Sequence, residues 1–243
     1  MQKPDVSVIL PVMNGASTLP ACLHSILEQT LNLELIVILG PSSDGSEEII
    51  SNCNFEGLVV LKDAGKGVYA AMNQGIQEAR AEWLYFIGAD DKLTNPQALT
   101  NLFELADVES KLIFGDVEYS NIQHSAVPVR HKSSFDAGLI WRNRLHHQGT
   151  IYRESCFADG LFNEDLKIFG DYEINLKLLK KGASAIKYDG VIAECEASGL
   201  SKNFNWNLYK EELKMKKDVL STWEYALNIP WVVLKFLLKK ITA

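Results

Sequence analysis

Val6-Ser7-Val8-Ile9-Leu10-Pro11-Val12-Met13-Asn14 decides how the rest of this chain is read. A short apolar run stopped by a proline predicts a strand buried on both faces, because a half-exposed strand would alternate apolar and polar residues. After it, Ser17 or Thr18 can cap a helix that tolerates Pro20 in its first turn. Leu19, Leu23, Ile26 and Leu27 then fall at helical spacing. The unit recurs. Residues 34–39 predict a second strand, and Ser42-Ser43-Asp44-Gly45-Ser46 a turn into a second helix. Residues 58–61 predict a third strand, followed by a glycine-punctuated loop and a helix through Met72, Ile76 and Ala79. Residues 83–87 predict a fourth, which stops at Gly88-Ala89-Asp90-Asp91, and residues 111–114 lead into Gly115-Asp116.

Strands alternating with helices predict an α/β fold with a mostly parallel sheet flanked by helices. Ligands of such sheets bind beyond the carboxyl ends of the strands. The polar clusters at 11–14, 40–46, 63–67 and 88–91 all follow strands, so they should converge on one rim. The second half reads less regularly, with polar loops through 120–135 and 142–150 and a strong helix over 171–181 ended by Gly182. With no repeat or linker in view, the expectation is a single domain over 1–203 and a C-terminal helical extension over 204–243.

The chain has 243 residues, 47% of them hydrophobic and 23% charged, which suits a globular fold and excludes a disordered one. A net charge of -7 argues against nucleic acid as a partner. None of the four cysteines shows CxxC spacing, which excludes a zinc knuckle or thioredoxin-like motif. The N-terminal residues lack the pattern of a signal peptide, so a cytoplasmic protein with reduced thiols is expected. No apolar stretch reaches the roughly 20 residues that span a bilayer.

Four constellations carry chemistry. Asp90-Asp91 at a strand's end sets two like charges side by side, and hard oxygen ligands of this kind suit Mg²⁺ or Mn²⁺; a helix N-cap before Thr94-Asn95-Pro96 is the plainer alternative. Gly65-Lys66-Gly67 can cradle a phosphate or be a simple turn. Asp171 begins a helix, either as a cap or as a general base kept ionised by the helix dipole. His146-His147-Gln148-Gly149 offers one imidazole to a substrate or holds a loop, since adjacent side chains point apart.

Together these segments resemble family 2 glycosyltransferases of the GT-A fold, particularly non-processive members of polysaccharide assembly. The similarity runs through residues 7–14, Ser25, Gln29-Thr30, residues 34–37 and residues 42–46. It continues through Asp63-Ala64-Gly65-Lys66-Gly67-Val68-Tyr69-Ala70-Ala71-Met72-Asn73-Gln74-Gly75-Ile76. Gly88-Ala89-Asp90-Asp91 stands where the family has its DxD-type motif, and residues 114–117, 147–149 and 170–173 match related segments. The resemblance implies a nucleotide-binding half over 1–118, an acceptor half over 119–203, and inverting transfer of a sugar from a nucleotide-diphosphate sugar, with a UDP-sugar favoured. It implies that Asp91, with Asp90, holds a divalent cation and that Asp171 deprotonates the acceptor. Pro11, Asn14, Ser43, Lys66, Gly67, Asn73 and Asp90 would bind the nucleotide-sugar. His147 and Gln148 would lie on the acceptor side, and Ser198, Gly199 and Ser201 would form a lid. The acceptor implied is a saccharide or a polyprenyl-linked one.

The chain also departs from the family pattern. Leu39-Gly40-Pro41 replaces the acidic residue that usually meets the nucleobase. The QxxRW pattern of processive synthases is absent, so one sugar per encounter is implied. A nucleotidyltransferase would favour a basic loop after the first strand, which Pro11-Val12-Met13-Asn14-Gly15 lacks. A non-catalytic sugar-nucleotide-binding protein would have no need to keep Asp90, Asp91 and Asp171 together. The apolar C-terminal segment, residues 231–241 with a basic end, is open to three occupants: the domain itself, a homodimer partner, or the inner face of an anionic membrane.

Overall fold

The computed structural model describes residues 2–122, 128–197 and 205–242. Its elements run β1 (Val6–Val12), α1 (Leu19–Leu27), β2 (Leu33–Leu39), α2 (Ser46–Ser51), β3 (Leu58–Lys62), α3 (Val68–Glu78), β4 (Trp83–Phe86), β5 (Lys92–Leu93) and α4 (Ala98–Phe103). They continue with β6 (Leu112–Ser120), β7 (Arg130–His131), β8 (Thr150–Arg153), α5 (Gly170–Lys180), β9 (Ala185–Glu196), α6 (Trp206–Val219) and α7 (Thr222–Thr242). Short 3-10 turns lie at Ala137–Ile140, His147–Gly149 and Glu154–Phe157.

One sheet carries the molecule, in the order β3-β2-β1-β4-β8-β6-β9-β5, with β7 paired to β6. From β3 to β4 every pairing is parallel. Beyond β4 it is mixed: β8 is antiparallel to both neighbours, β6 and β9 are parallel, and β5 closes the edge antiparallel. The parallel half is the one whose βαβ rhythm the sequence displays.

The apolar runs are continuous because both faces of these strands are covered. Val6, Val8, Leu10 and Val12 of β1, with Leu35 and Val37 of β2 and Tyr85 of β4, face a core shared with Leu19, Leu23 and Ile26 of α1 and Leu99 and Leu102 of α4. Ile9, Ile36, Ile38, Leu84 and Phe86 face the other way, onto Met72 and Ile76 of α3 and Tyr172, Ile174 and Leu176 of α5. The two-residue period of the pleat distributes side chains between the layers. α5 stops where Gly182 takes a left-handed φ of 70° and the Ala183 N–H returns to the Leu178 carbonyl.

α6 and α7 form an antiparallel hairpin docked beside α5. Lys216 is fully buried there, donating to the Trp141 carbonyl at 2.9 Å and to Asn228 Oδ1 at 2.8 Å, with Glu212 at 2.9 Å. A buried ammonium needs such partners. Burial lowers its pKa to about 8, against the pull of Glu212. At the start of α7 Ser221 donates from both its backbone N–H and its Oγ to Glu224 Oε2, and Lys180 of α5 pairs with Glu224 at 2.8 Å. All four cysteines are free thiols.

Candidate active site

The four strand-end clusters do converge. Pro11, Asn14, Gly40, Asp63, Gly67, Gly88 and Asp90 share the wall of one cavity of about 990 Å³. Asn14 turns the rim at a left-handed φ of 52°, which asparagine tolerates. Its backbone N–H donates to Ser42 Oγ, and its Oδ1 accepts from the Ser43 N–H at 3.0 Å. Ser43 is thus a backbone anchor for the rim and does not line the cavity. Gly67, at φ 113°, opens α3 and does line it, whereas Lys66 stands exposed outside the wall.

Asp90 and Asp91 have unlike surroundings. Asp90 is exposed in the cavity wall, while Asp91 is only 5% exposed. Asp91 Oδ2 accepts from Gln148 Nε2 at 2.8 Å and from the Gly88 N–H at 3.3 Å, and its Oδ1 accepts from the Glu196 N–H at 3.1 Å. Burial and the adjacent Asp90 charge push its pKa up to about 6, against the hydrogen bonds from Gln148 and Glu196.

Asp171 sits in the first turn of α5, where the helix dipole favours a carboxylate. Its Oδ2 is 3.1 Å from His147 Nδ1 and 3.3 Å from Asn143 Nδ2. Burial opposes ionisation, but the His147 hydrogen bond and the imidazole charges outweigh it and hold the carboxyl below its usual range. The helix start comes close to α3 because residue 170 is glycine: a Cβ there would lie 2.7 Å from the Tyr69 ring, whose hydroxyl donates to the Ile168 carbonyl at 2.6 Å. Tyr69 follows directly on the cavity residues Gly67 and Val68.

His147 and Gln148 therefore join the acid groups. Consecutive residues of one 3-10 turn, they hold Asp171 and Asp91 respectively. The Tyr85 hydroxyl fixes the turn by donating to the Gln148 carbonyl at 2.7 Å. Each of them reaches a different carboxylate, whereas the rings of His146 and His147, expected to point apart, stack with centroids 5.7 Å apart.

Asn73 stands elsewhere. It is buried in α3, where it accepts from the Phe162 N–H at 2.9 Å and donates to the Phe162 carbonyl and to Glu164. Its amide ties a loop to the core and does not face the cavity. Ser198, Gly199 and Ser201 lie outside the described residues.

Three residues missed in the sequence complete the wall and the base: Asn121 and Glu196, joined at 2.8 Å, and Asn143. Asn121 follows the end of β6 and Glu196 ends β9, so the parallel β6–β9 pairing brings both to the rim. The strand-end rule would have found them once those strands were known.

A parallel half with a cavity at its carboxyl rim, and Asp91 and Asp171 held by one turn, fit a glycosyltransferase of the GT-A kind. Residues 7–159 match the family model "Glycosyl transferase family 2", and the chain belongs to that family. It is 33% identical over 225 residues to a PGL/p-HBAD biosynthesis glycosyltransferase of Mycobacterium bovis, covering 88% of this chain and 84% of that one. It is 29% identical to the glycosyltransferase AglE of Haloferax volcanii, covering 90% and 74%. The fold matches a crystal structure of S. aureus TarS 1-349 in complex with UDP, with TM-score 0.70 and 19% identity over 96% of this chain and 70% of that one. It also matches the mannosyltransferase PcManGT of Pyrobaculum calidifontis in complex with GDP-Man and Mn2+, with TM-score 0.67 and 18% identity over 95% and 69%.

Proposed function

We propose that the protein moves one sugar, with inversion, from a nucleotide-diphosphate sugar to a hydroxyl of a saccharide or polyprenyl-linked acceptor. The observation that carries this reading is the His147-Gln148 turn holding Asp171 and Asp91 at one centre. The cavity is large enough for a nucleotide-sugar. A UDP-sugar is the favoured donor, in keeping with the TarS complex with UDP; the GDP-Man complex of PcManGT makes GDP-sugars the necessary comparison.

In the proposed step the acceptor oxygen bonds to the anomeric carbon as the bond to the diphosphate oxygen breaks, and the acceptor proton passes to Asp171. A carboxylate held below its usual range stays ionised and available, with His147 and Asn143 fixing its orientation on Oδ2. Gln148 and the Glu196 N–H orient Asp91 in the same way.

The two adjacent carboxylates fit a divalent cation. Asp91 is raised by burial and by Asp90, a strain that a cation relieves, and both offer hard oxygen donors. Mg²⁺ or Mn²⁺ takes one or two protein carboxylates and would complete its shell with diphosphate oxygens and water. Asp90 and Asp91 would hold such an ion, which supplies charge neutralisation at the departing diphosphate.

A polyprenyl-linked acceptor would place the reaction at the inner face of a membrane. The test is a panel of UDP-, GDP- and dTDP-sugars with Mn²⁺, followed by NMR of the product's anomeric configuration. Transfer with inverted configuration supports the reading, and retained configuration would exclude Asp171 as the base of a single displacement.

A further inference from the structure

We propose that the outer face of α7, together with the exposed lysines of α6, is a docking surface for an anionic lipid bilayer. The proposal stands apart from the transfer reading, because vesicle binding is measured without turnover.

Among the described residues, α7 turns its charged groups inward. Of the described side chains of α7, the two charged ones are both partnered: Glu224 with Lys180 of α5, and Lys235 with Glu212 of α6 at 2.6 Å. Asn228 is buried on Lys216, and Phe236 packs on Tyr209 with ring centroids 5.3 Å apart. The exposed apolar side chains of α7 include Trp223, Leu227, Pro230, Leu234 and Leu237. Their spacing of three and four sets them on one stripe about 21 Å long. Trp223 is 67% exposed and Leu237 50%.

Charge selects the occupant. α6 exposes Lys210, Lys214 and Lys217 at helical spacing, with Asp218 as its one exposed acid among the described residues. Residues 205–243 hold seven lysines against four acidic residues, on a chain whose net charge is -7. An apolar helix face on a hairpin that also exposes lysines matches the acyl boundary and phosphates of an anionic bilayer. A second copy fits less well. It would bring two lysine-rich hairpins together and set like charges across the contact. No described helix is long and apolar enough to cross a membrane, so the surface lies on the bilayer.

The test is sedimentation of the full chain with phosphatidylcholine vesicles and with phosphatidylcholine–phosphatidylglycerol vesicles, alongside light scattering. The protein should pellet with the anionic vesicles. Leu234→Glu with Leu237→Glu should weaken that binding by at least about tenfold, and Leu234→Ser should do so more mildly, with unchanged circular dichroism in both cases. Each of Lys210→Gln, Lys214→Gln and Lys217→Gln should cost about fivefold. The proposal is overturned if wild-type protein stays in the supernatant with anionic vesicles, if it binds neutral vesicles equally, or if the leucine variants bind undiminished. A dimer that Leu234→Glu dissolves, without vesicle binding, would instead assign the face to a second copy.

Discussion

Gln148 Nε2 donates to Asp91 Oδ2 at 2.8 Å, so the carboxylate that follows β4 is held from the 3-10 turn that precedes β8. The neighbouring His147 does the same for Asp171. One 3-10 turn thereby sets the separation between the two carboxylates, which under the proposed function would hold the cation and accept the proton from either side of the reacting carbon. In-line displacement requires that arrangement.

His147 supports Asp171 by hydrogen bond and charge, so His147→Ala should raise the Asp171 pKa toward its ordinary value. The acid limb of the kcat–pH profile should move to higher pH and kcat should fall about tenfold or more, with donor KM little changed. An acid limb identical to wild type would remove His147 from this role.

Asp91 has the opposite shift. Its folded pKa of about 6 exceeds the ordinary 3.8, so between these values the folded state binds more protons than the unfolded state. Metal-free protein should therefore lose stability as pH rises through that window. Asp91→Asn should raise the metal-free Tm at pH 8 by about 2–4 °C, corresponding to about 1 kcal/mol, and the gain should vanish below pH 4. Thermal scans at the two pH values, with chelator present, check this; a lower Tm at pH 8 would contradict it.

Asn73 is a structural lock. Asn73→Ala strands the Phe162 backbone groups and should cost about 2 kcal/mol, with donor KM unchanged at a temperature where the variant is folded. Chemical denaturation and initial rates separate these effects. A raised KM at full stability would return Asn73 to the nucleotide.

The parallel half was legible because β1, β2 and β4 are buried on both faces, and uninterrupted apolar runs are what such burial selects. β9 was not. Its Asp189-Gly190 reads as a turn, yet Gly190 lies opposite Gly115 at a register shift in the β6–β9 pairing, where a Cβ on Gly115 would meet the Gly190 carbonyl at 2.8 Å. Asp90, Asp91 and Asp171 stood out as carboxylates at element ends. The roles of Asn143, Asn121 and Glu196 depend on strand pairings and loop returns, which local periodicity does not encode. Asn73 shows the reverse case: it belongs to a recognisable motif, but its side chain is turned into the core by helix phase.

The proposed function requires that Asp171 accept the acceptor's proton and leave donor binding to the other residues. The most direct measurement is paired: donor affinity by calorimetry with Mn²⁺, and the single-turnover transfer rate, for wild type and Asp171→Asn. Unchanged affinity with a rate at least about 100-fold lower is the expected result. A wild-type rate in the variant, or a loss of donor binding in step with the rate, would contradict it.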